Sequence, residues 1–270
     1  MFSYYMTALH IFADYSLSTL ILLIVLAFFS GFIDSIAGGG GLIQLPALLI
    51  SFPQSSLINI FGTNKIAALA GTTTAAIQYS KRIKFNLWLL LTISLFAFIF
   101  ARLGALSVKH IDVEIFRPVI LVILISIALY TYFKKDLGQT KSKDIPIRSQ
   151  YIFGSVIGSA VGFYDGFFGP GTGNFLVFGF VIVLGFEFIK ASAYSKVINC
   201  ITNISALIVF LSHGNYYLYI GLLMAVFNIT GSFIGSHLAL KKGNSFIRLI
   251  FFVVVIIMIA RYAYDIFLRK

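Results

Sequence analysis

Two lysines lie inside long apolar stretches of this sequence, and their chemistry needs an explanation. Lys65 lies within the stretch 60–80, and Lys196 lies 131 residues later within the stretch 191–211. A charged side chain at the centre of a membrane helix costs about 3 kcal/mol even on a lenient scale, so a matching pair indicates a compensating role. Two ammonium groups, one from each half of the chain, predict a binding site for a small anion. The alternative is that both side chains reach the lipid headgroups from near a helix end.

Polar side chains follow each lysine along the sequence at the spacing of one helix face. Lys196, Asn199 and Asn203 follow one another at three and then four residues, which places them on one helix face. The first half has Lys65, Ala68 and Thr72 at the corresponding positions, so the two stripes differ in polarity. This asymmetry fits a site that binds one end of a substrate, and hydrogen bonding between helices is the alternative. The predicted substrate-binding side chains are Asn64, Lys65, Thr72, Lys196, Asn199 and Asn203.

Two glycine-rich tracts, 38–41 and 169–173, interrupt apolar stretches at the same offset of 131 residues. Consecutive glycines disfavour a helix, and irregular backbone at membrane depth is tolerated only where protein buries it or where it lines a cavity. A short helix that starts after each tract would direct its N-terminal N–H groups towards the break, where they can bind an anion. Close packing of helices is the alternative. The predicted contacts here are Gly39, Gly40, Gly41, Gly171, Thr172, Gly173 and Asn174, with Gln44 as a further neutral donor.

An aspartate precedes each glycine tract, again at matching positions, Asp34 and Asp165. Carboxylates inside a membrane protein can relay protons or pair with the lysines. They can equally cap the backbone N–H groups of the helix that follows the break. The sequence leaves proton coupling and capping open.

The composition indicates an all-α polytopic membrane protein. Of the 270 residues, 59% are hydrophobic and only 11% are charged, and the mean hydropathy is +0.98. The net charge of +11 comes from clusters at 81–84, 134–148 and 241–242. Such clusters are typical of cytoplasmic loops, so nucleic acid is excluded as a partner. With one cysteine, and with His213 and His237 isolated, the sequence predicts no metal site, no cofactor and no enzyme.

Apolar segments divide the chain into two similar halves. Residues 1–133 form the first transmembrane repeat, 134–150 a cytoplasmic linker, and 151–270 the second repeat. The first-half segments are 17–37, 42–52, 60–80, 85–106 and 115–133, and the second-half segments are 151–168, 174–186, 191–211, 217–240 and 246–268. The segment 42–52 is about half as long as a membrane span, so 17–52 is interpreted as a bent hairpin whose tip dips into the membrane.

The basic loops favour an inverted topology of the two repeats. Residues 81–84 lie between the third and fourth segments of the first half, whereas Lys241 and Lys242 lie between the fourth and fifth of the second half. Equivalent loops therefore face opposite sides of the membrane, as in transporters built from inverted repeats. Arg269 and Lys270 oppose this interpretation because they would lie outside.

The paired blocks resemble one known family. Residues 31–46 followed by 62–65, and 162–173 followed by 191–196 and Asn199, are similar to the two conserved blocks of the sulfite exporter TauE/SafE family, also called the toluene sulfonate uptake permease family. The resemblance covers nearly the whole chain. It implies a multi-pass transporter of the bacterial cytoplasmic membrane for sulfite, sulfonates or related sulfur-containing anions. It also implies substrate contacts at both lysines and both glycine tracts.

These features predict a secondary transporter that binds a small anion between the glycine breaks and works by alternating access. The membrane potential suffices for export, at about 2.3 kcal/mol per charge per 100 mV, and proton coupling is open. The alternatives are a non-transporting membrane scaffold or assembly factor, and a proton-coupled transporter of a neutral or cationic solute. The expected partners are the anion and the lipid bilayer, and a homo-oligomer is left open.

Overall fold

The computed structural model describes residues 15–108, 116–133 and 145–267. These parts of the chain contain ten helices and no strand. The helices are α1 Leu17–Ala37, α2 Gly41–Ser51, α3 Leu57–Ser80, α4 Leu87–Ser107, α5 Phe116–Phe133, α6 Ile147–Phe167, α7 Thr172–Ile182, α8 Phe188–Ser212, α9 Leu218–Lys242 and α10 Asn244–Phe267. The predicted all-α class is confirmed.

Polar side chains fix the starts of three long helices. Ser16, Ser56 and Asn86 accept hydrogen bonds from backbone N–H groups three residues later, at 3.2, 3.3 and 3.2 Å. Each thereby satisfies a donor that the first helical turn leaves unpaired. These caps explain why α3 begins three residues earlier than the apolar segment 60–80 and why α4 begins two residues later than the segment 85–106.

Helix α6 also begins earlier than predicted. It starts at Ile147, inside the stretch 134–150 that the sequence assigned to the linker, because Pro146 precedes a polar first turn that hydropathy does not detect. The rest of that linker, 134–144, lies outside the described residues, as do Arg269, Lys270 and the N-terminal residues 1–14.

Within the described ranges, four helices are long and apolar enough to cross a membrane: α1, α4, α8 and α9. Their outward faces carry large exposed hydrophobic side chains, such as Leu17, Trp88 and Phe233. A water-soluble protein rarely exposes so much apolar surface, whereas a lipid-facing surface requires it. The chain is therefore a multi-pass membrane protein.

The helices form two bundles, and each bundle takes its fourth helix from the other predicted half. Helix α9 packs most extensively on α1 and α3, and α4 packs most extensively on α6 and α8. We call α1, α2, α3 and α9 the first bundle, and α4, α6, α7 and α8 the second bundle. Helices α3 and α8 make the main contact between the bundles, while α5 pairs with α10.

Glycines allow the exchanged helices to approach closely. A Cβ added to Gly31 on α1 would lie 2.1 Å from the Asn228 carbonyl oxygen on α9. A Cβ added to Gly162 on α6 would lie 2.7 Å from the Ala97 carbonyl oxygen on α4. Small residues at such contacts let membrane helices pack backbone to backbone. Both contacts join residues that the 131-residue offset relates, which is consistent with the predicted repeat. The inverted orientation stays a prediction.

Each short helix is anchored in a different apolar core. Helix α2 contributes Leu45 and Leu48 to a core with parts of α1, α3, α8 and α9. Helix α7 contributes Val177 and Phe180 to a second core, which also includes α5 and α10. The starts of α2 and α7 are thereby held in fixed positions, where the two glycine tracts meet.

Candidate functional site

The two glycine breaks lie against each other. Gly38 ends α1 with φ +98°, a region that side-chain-bearing residues rarely adopt. A Cβ added to Gly38 would lie 2.4 Å from the Gly173 carbonyl carbon and 2.5 Å from the Asn174 backbone nitrogen. Gly171, with φ +84°, precedes the first residue of α7. The breaks thus bring the N-termini of α2 and α7 to one place.

Lys65 on α3 forms an ion pair with Asp165 on α6, across the two bundles. Its Nζ lies 2.8 Å from Asp165 Oδ2 and donates a hydrogen bond of 2.9 Å to Asn203 Oδ1. The Thr172 hydroxyl donates to Asp165 Oδ1 at 2.7 Å. The Lys65 and Asp165 side chains are only 4% and 3% exposed. Pairing of this kind allows both charges to be buried.

Lys196 on α8 forms the reciprocal ion pair with Asp34 on α1. Its Nζ lies 3.2 Å from Asp34 Oδ2 and also donates to the Asp34 backbone carbonyl, at the end of α1. Asp34 Oδ1 accepts a hydrogen bond of 3.3 Å from the Gly40 N–H at the start of α2. Asp34 therefore both pairs with a lysine and caps a helix, two roles that the sequence left open. Both ion pairs cross between the bundles.

A small cavity lies where the breaks and the first ion pair meet. Its volume is about 30 Å³, on a scale where one water needs about 10–15 Å³. The starts of α2 and α7 line this cavity together with polar side chains. Its lining residues are Ser30, Asp34, Gly39, Gly40, Gly41, Asn64, Lys65, Ala68, Thr72, Asp165, Gly169, Gly171, Thr172, Gly173, Asn199, Asn203 and Asn228.

The structure brings together most residues of the predicted site, and three lie outside the cavity wall: Lys196, Asn174 and Gln44. Lys196 is fully buried behind the wall, where it binds Asp34. The Asn174 side chain is also buried, and its Nδ2 lies 3.3 Å from the Met258 sulfur on α10. The two lysines, equivalent by sequence position, therefore differ in their access to a solute.

The match to known proteins identifies the family. The profile described as sulfite exporter TauE/SafE matches residues 23–262. The chain belongs to the sulfite exporter TauE/SafE family. This TauE/SafE chain is 35% identical to a probable membrane transporter protein of Haemophilus influenzae, over 93% of the chain and 97% of that relative. It is 37% identical to probable membrane transporter protein ORF9 of Sinorhizobium sp, over 93% and 95%.

A third relative extends the same pattern. The probable membrane transporter protein YfcA of Escherichia coli K12 is 36% identical, over 90% of the TauE/SafE chain and 89% of that relative. No solved structure matches the chain significantly.

A polar cluster next to the TauE/SafE cavity contains Gln44, which the sequence predicted as a neutral donor, and two residues that the sequence did not indicate, Ser30 and Asn228. Ser30 Oγ donates to Gln44 Oε1 at 2.9 Å, and Asn228 Nδ2 donates to the same oxygen at 2.8 Å. The Gln44 Nε2 atom is buried and has no acceptor among the described residues. Asn228 corresponds to Ala97 in the other half, so no matching polar pair marks this position. The sequence feature that indicates a role for Asn228 is its polar side chain in an otherwise apolar membrane helix.

Within the described part of this TauE/SafE protein, no three His, Cys, Asp or Glu side chains are grouped as a metal site would need. The charged groups of the cavity wall are Asp34, Lys65 and Asp165. Of these, only the Lys65 ammonium, together with the two helix N-termini, offers an anion hydrogen-bond donors and Coulomb attraction.

Proposed function

We propose that this TauE/SafE protein is a secondary transporter of small anions, such as sulfite or a small sulfonate, in the bacterial cytoplasmic membrane. The observation that carries the proposal is that Lys65 and the N-termini of α2 and α7 line one cavity at the crossing of two broken helices. Paired breaks in the two halves of a membrane protein are typical of transporter binding sites. The names of the three relatives, all probable membrane transporter proteins, support the same function.

The donors in the cavity wall favour an anion over a cation. Each helix N-terminus carries a positive partial charge. Lys65 adds a full positive charge, and the Asn64 and Asn199 amides line the wall beside it. Asp34 and Asp165 would favour a cation, but each is already paired with a lysine. A neutral solute would have to separate the Lys65–Asp165 pair without replacing either charge, and a cation bound to Asp165 would leave the Lys65 ammonium buried and unpaired.

The size of the cavity favours a compact solute. A volume of about 30 Å³ accommodates roughly two waters on this scale, so the present conformation has room for a group no larger than an SO₃ head. A larger sulfonate requires the breaks to separate. A scaffold has no use for such a buried, solute-accessible charge, and this disfavours the non-transporting alternative.

We infer that alternating access moves the two bundles rather than the two halves of the sequence. Helices α4 and α9 tie the sequence halves together, so neither half is free to move as one body. The cavity and both ion pairs lie at the boundary between the bundles. Movement along the α3–α8 contact would therefore open the cavity to one side and then to the other, as inverted repeats do.

Thermal unfolding with a panel of anions tests the binding step. Sulfite, methanesulfonate or another small anion is expected to raise the apparent melting temperature of the purified protein by a few degrees, because it binds only the folded state. The double variant Lys65→Gln with Asp165→Asn removes both charges of the cavity pair, and it should fold but lose this shift and the flux into proteoliposomes. Lys241→Gln, at an exposed lysine, is the control and should retain both. If every anion leaves the melting temperature unchanged, the proposed function is wrong.

A single cysteine substitution tests the proposed movement. Thr73 on α3 and Cys200 on α8 face each other across the bundle boundary, with Oγ1 and Sγ 3.2 Å apart. In Thr73→Cys, oxidation should form a disulfide, whose S–S bond is about 2.05 Å long. We expect oxidation to abolish flux and a reducing agent to restore it.

The unsubstituted protein, which has Cys200 alone, is the control for the disulfide. Its flux should be insensitive to the same oxidant. Full flux through the disulfide-linked variant would show that α3 and α8 do not move against each other.

A further inference from the structure

We propose that Asp165 is a proton-binding site that is loaded when an anion binds to Lys65, so that one proton travels with each monovalent anion. The inference rests on the proposed function, because it assigns the coupling ion to the same cavity. It selects between proton coupling and simple export driven by the membrane potential. The carboxylate of Asp165 and the ammonium of Lys65 are the two groups that exchange partners.

The charges at the crossing sum to zero before an anion enters. Lys65 and Lys196 carry two positive charges, and Asp34 and Asp165 carry two negative charges. The charged groups facing Asp165 are Lys65 from α3, at 2.8 Å, and Asp34 across the cavity. The other contact of the carboxylate, Thr172 from the start of α7, is neutral. A bound monovalent anion would leave this buried site with one uncompensated negative charge.

The anion displaces the Asp165 carboxylate from Lys65. A proton that binds to this carboxylate removes the excess negative charge. The anion and Asp165 compete for the same ammonium, because both lie against Lys65 in a cavity with little free volume. An unpaired carboxylate buried in protein is strongly disfavoured, and protonation is the usual way in which it becomes neutral. A proton from water on the entry side forms an O–H bond on Asp165. The same proton returns to water on the other side, once the anion leaves and Lys65 pairs again.

Asp34 is not suited to the same role. Its lysine, Lys196, does not line the cavity and also binds the Asp34 backbone carbonyl. Its carboxylate also accepts from the Gly40 N–H, so a proton there would weaken the cap of α2. The two ion pairs thus have different functions. The Lys196–Asp34 pair holds the end of α1 in place, and the Lys65–Asp165 pair binds the anion and the proton.

Proton uptake measured together with anion binding tests the proposal. Methanesulfonate is the probe, because it stays a monovalent anion over the whole pH range used. In weakly buffered detergent solution, binding should take up about one proton per anion, and by linkage Kd should rise with pH by up to about tenfold per unit. In proteoliposomes, a pH gradient should drive methanesulfonate accumulation, whereas a potassium diffusion potential should not.

Two variants identify the group that takes up the proton. Lys65→Arg with Asp165→Asn keeps a cation that stays protonated and removes the carboxylate, so it should bind methanesulfonate without proton uptake and with a Kd independent of pH. Glu187→Gln is the matched control, because Glu187 lies outside the cavity and bonds Asn244 instead; it should retain the proton uptake.

The possible results separate the two proposals. Methanesulfonate binding without proton uptake by the unsubstituted protein, or accumulation driven by the diffusion potential, would overturn the inference and leave the anion site intact. Unchanged proton uptake by the double variant Lys65→Arg with Asp165→Asn would also overturn it. If neither methanesulfonate nor any other anion binds, the proposed function fails and the inference fails with it.

Discussion

Gly38→Ala is expected to destabilise the protein by at least about 3 kcal/mol, because two effects add. At φ +98° and ψ 174° the backbone conformation is strained for any residue with a Cβ. The new methyl would also collide with the backbone of Gly173 and Asn174, at 2.4 and 2.5 Å. Neither atom can move without shifting the start of α7. Unfolding in mixed micelles with increasing SDS would measure the loss of free energy.

Gly214→Ala separates backbone strain from the collision. Gly214 also has a positive φ, +68°, but nothing lies within 4 Å of its added Cβ. We expect only the conformational cost there, about 1 to 2 kcal/mol. Equal destabilisation of the two variants would mean that the breaks do not pack against each other.

Lys196→Met is expected to destabilise the protein by about 3 to 5 kcal/mol, the usual cost of removing one partner of a buried ion pair. The substitution would leave the Asp34 carboxylate without its cation. Water can compensate little for this loss, because the Asp34 side chain is only 17% exposed. It would also remove the bond from Nζ to the Asp34 carbonyl at the end of α1. The same SDS titration, or the melting temperature in detergent, measures the effect.

Removing both charges should restore most of that stability. In Lys196→Met with Asp34→Asn no uncompensated charge remains, so a double-mutant cycle should give a large coupling energy. Lys241→Met, at an exposed lysine, should change the free energy of unfolding by less than about 0.5 kcal/mol. If the single Lys196→Met variant is as stable as the unsubstituted protein, the Lys196–Asp34 pair does not stabilise the end of α1.

The sequence predicted the parts of the site that depend on local chemistry. Glycines break helices wherever they occur in series, and the constant offset identified Lys65, Lys196, Asp34 and Asp165 as corresponding residues. The lysine–aspartate pairing was among the alternatives, and the structure shows which lysine binds which aspartate. The pairing partner of each lysine comes from the other predicted half, a detail that no local pattern contains.

Two features could not be predicted from the sequence. One is that α4 and α9 each pack in the bundle of the other half, and the other is that Lys65 lines the cavity whereas Lys196 does not. Partner choice depends on which small residues of two distant helices meet, and glycines occur on many helices of this chain. Lys196 differs from Lys65 because its side chain reaches a carbonyl at the end of α1, whereas Lys65 reaches Asn203. That difference arises from packing. Asn228 was missed for a related reason, since its counterpart Ala97 is apolar.

The exchanged helices also determine when the protein can fold during its synthesis. Helix α1 ends at Ala37, and its main packing partner α9 begins roughly 180 residues later, at Leu218. At about 5–20 residues per second, α1 therefore waits about 10 to 35 seconds in the membrane for α9. During that time its glycine face and Asp34 lack their final contacts. A first half made alone would lack the contacts of α1 with α9 and of Asp34 with Lys196, so we expect it to be less stable than the whole chain.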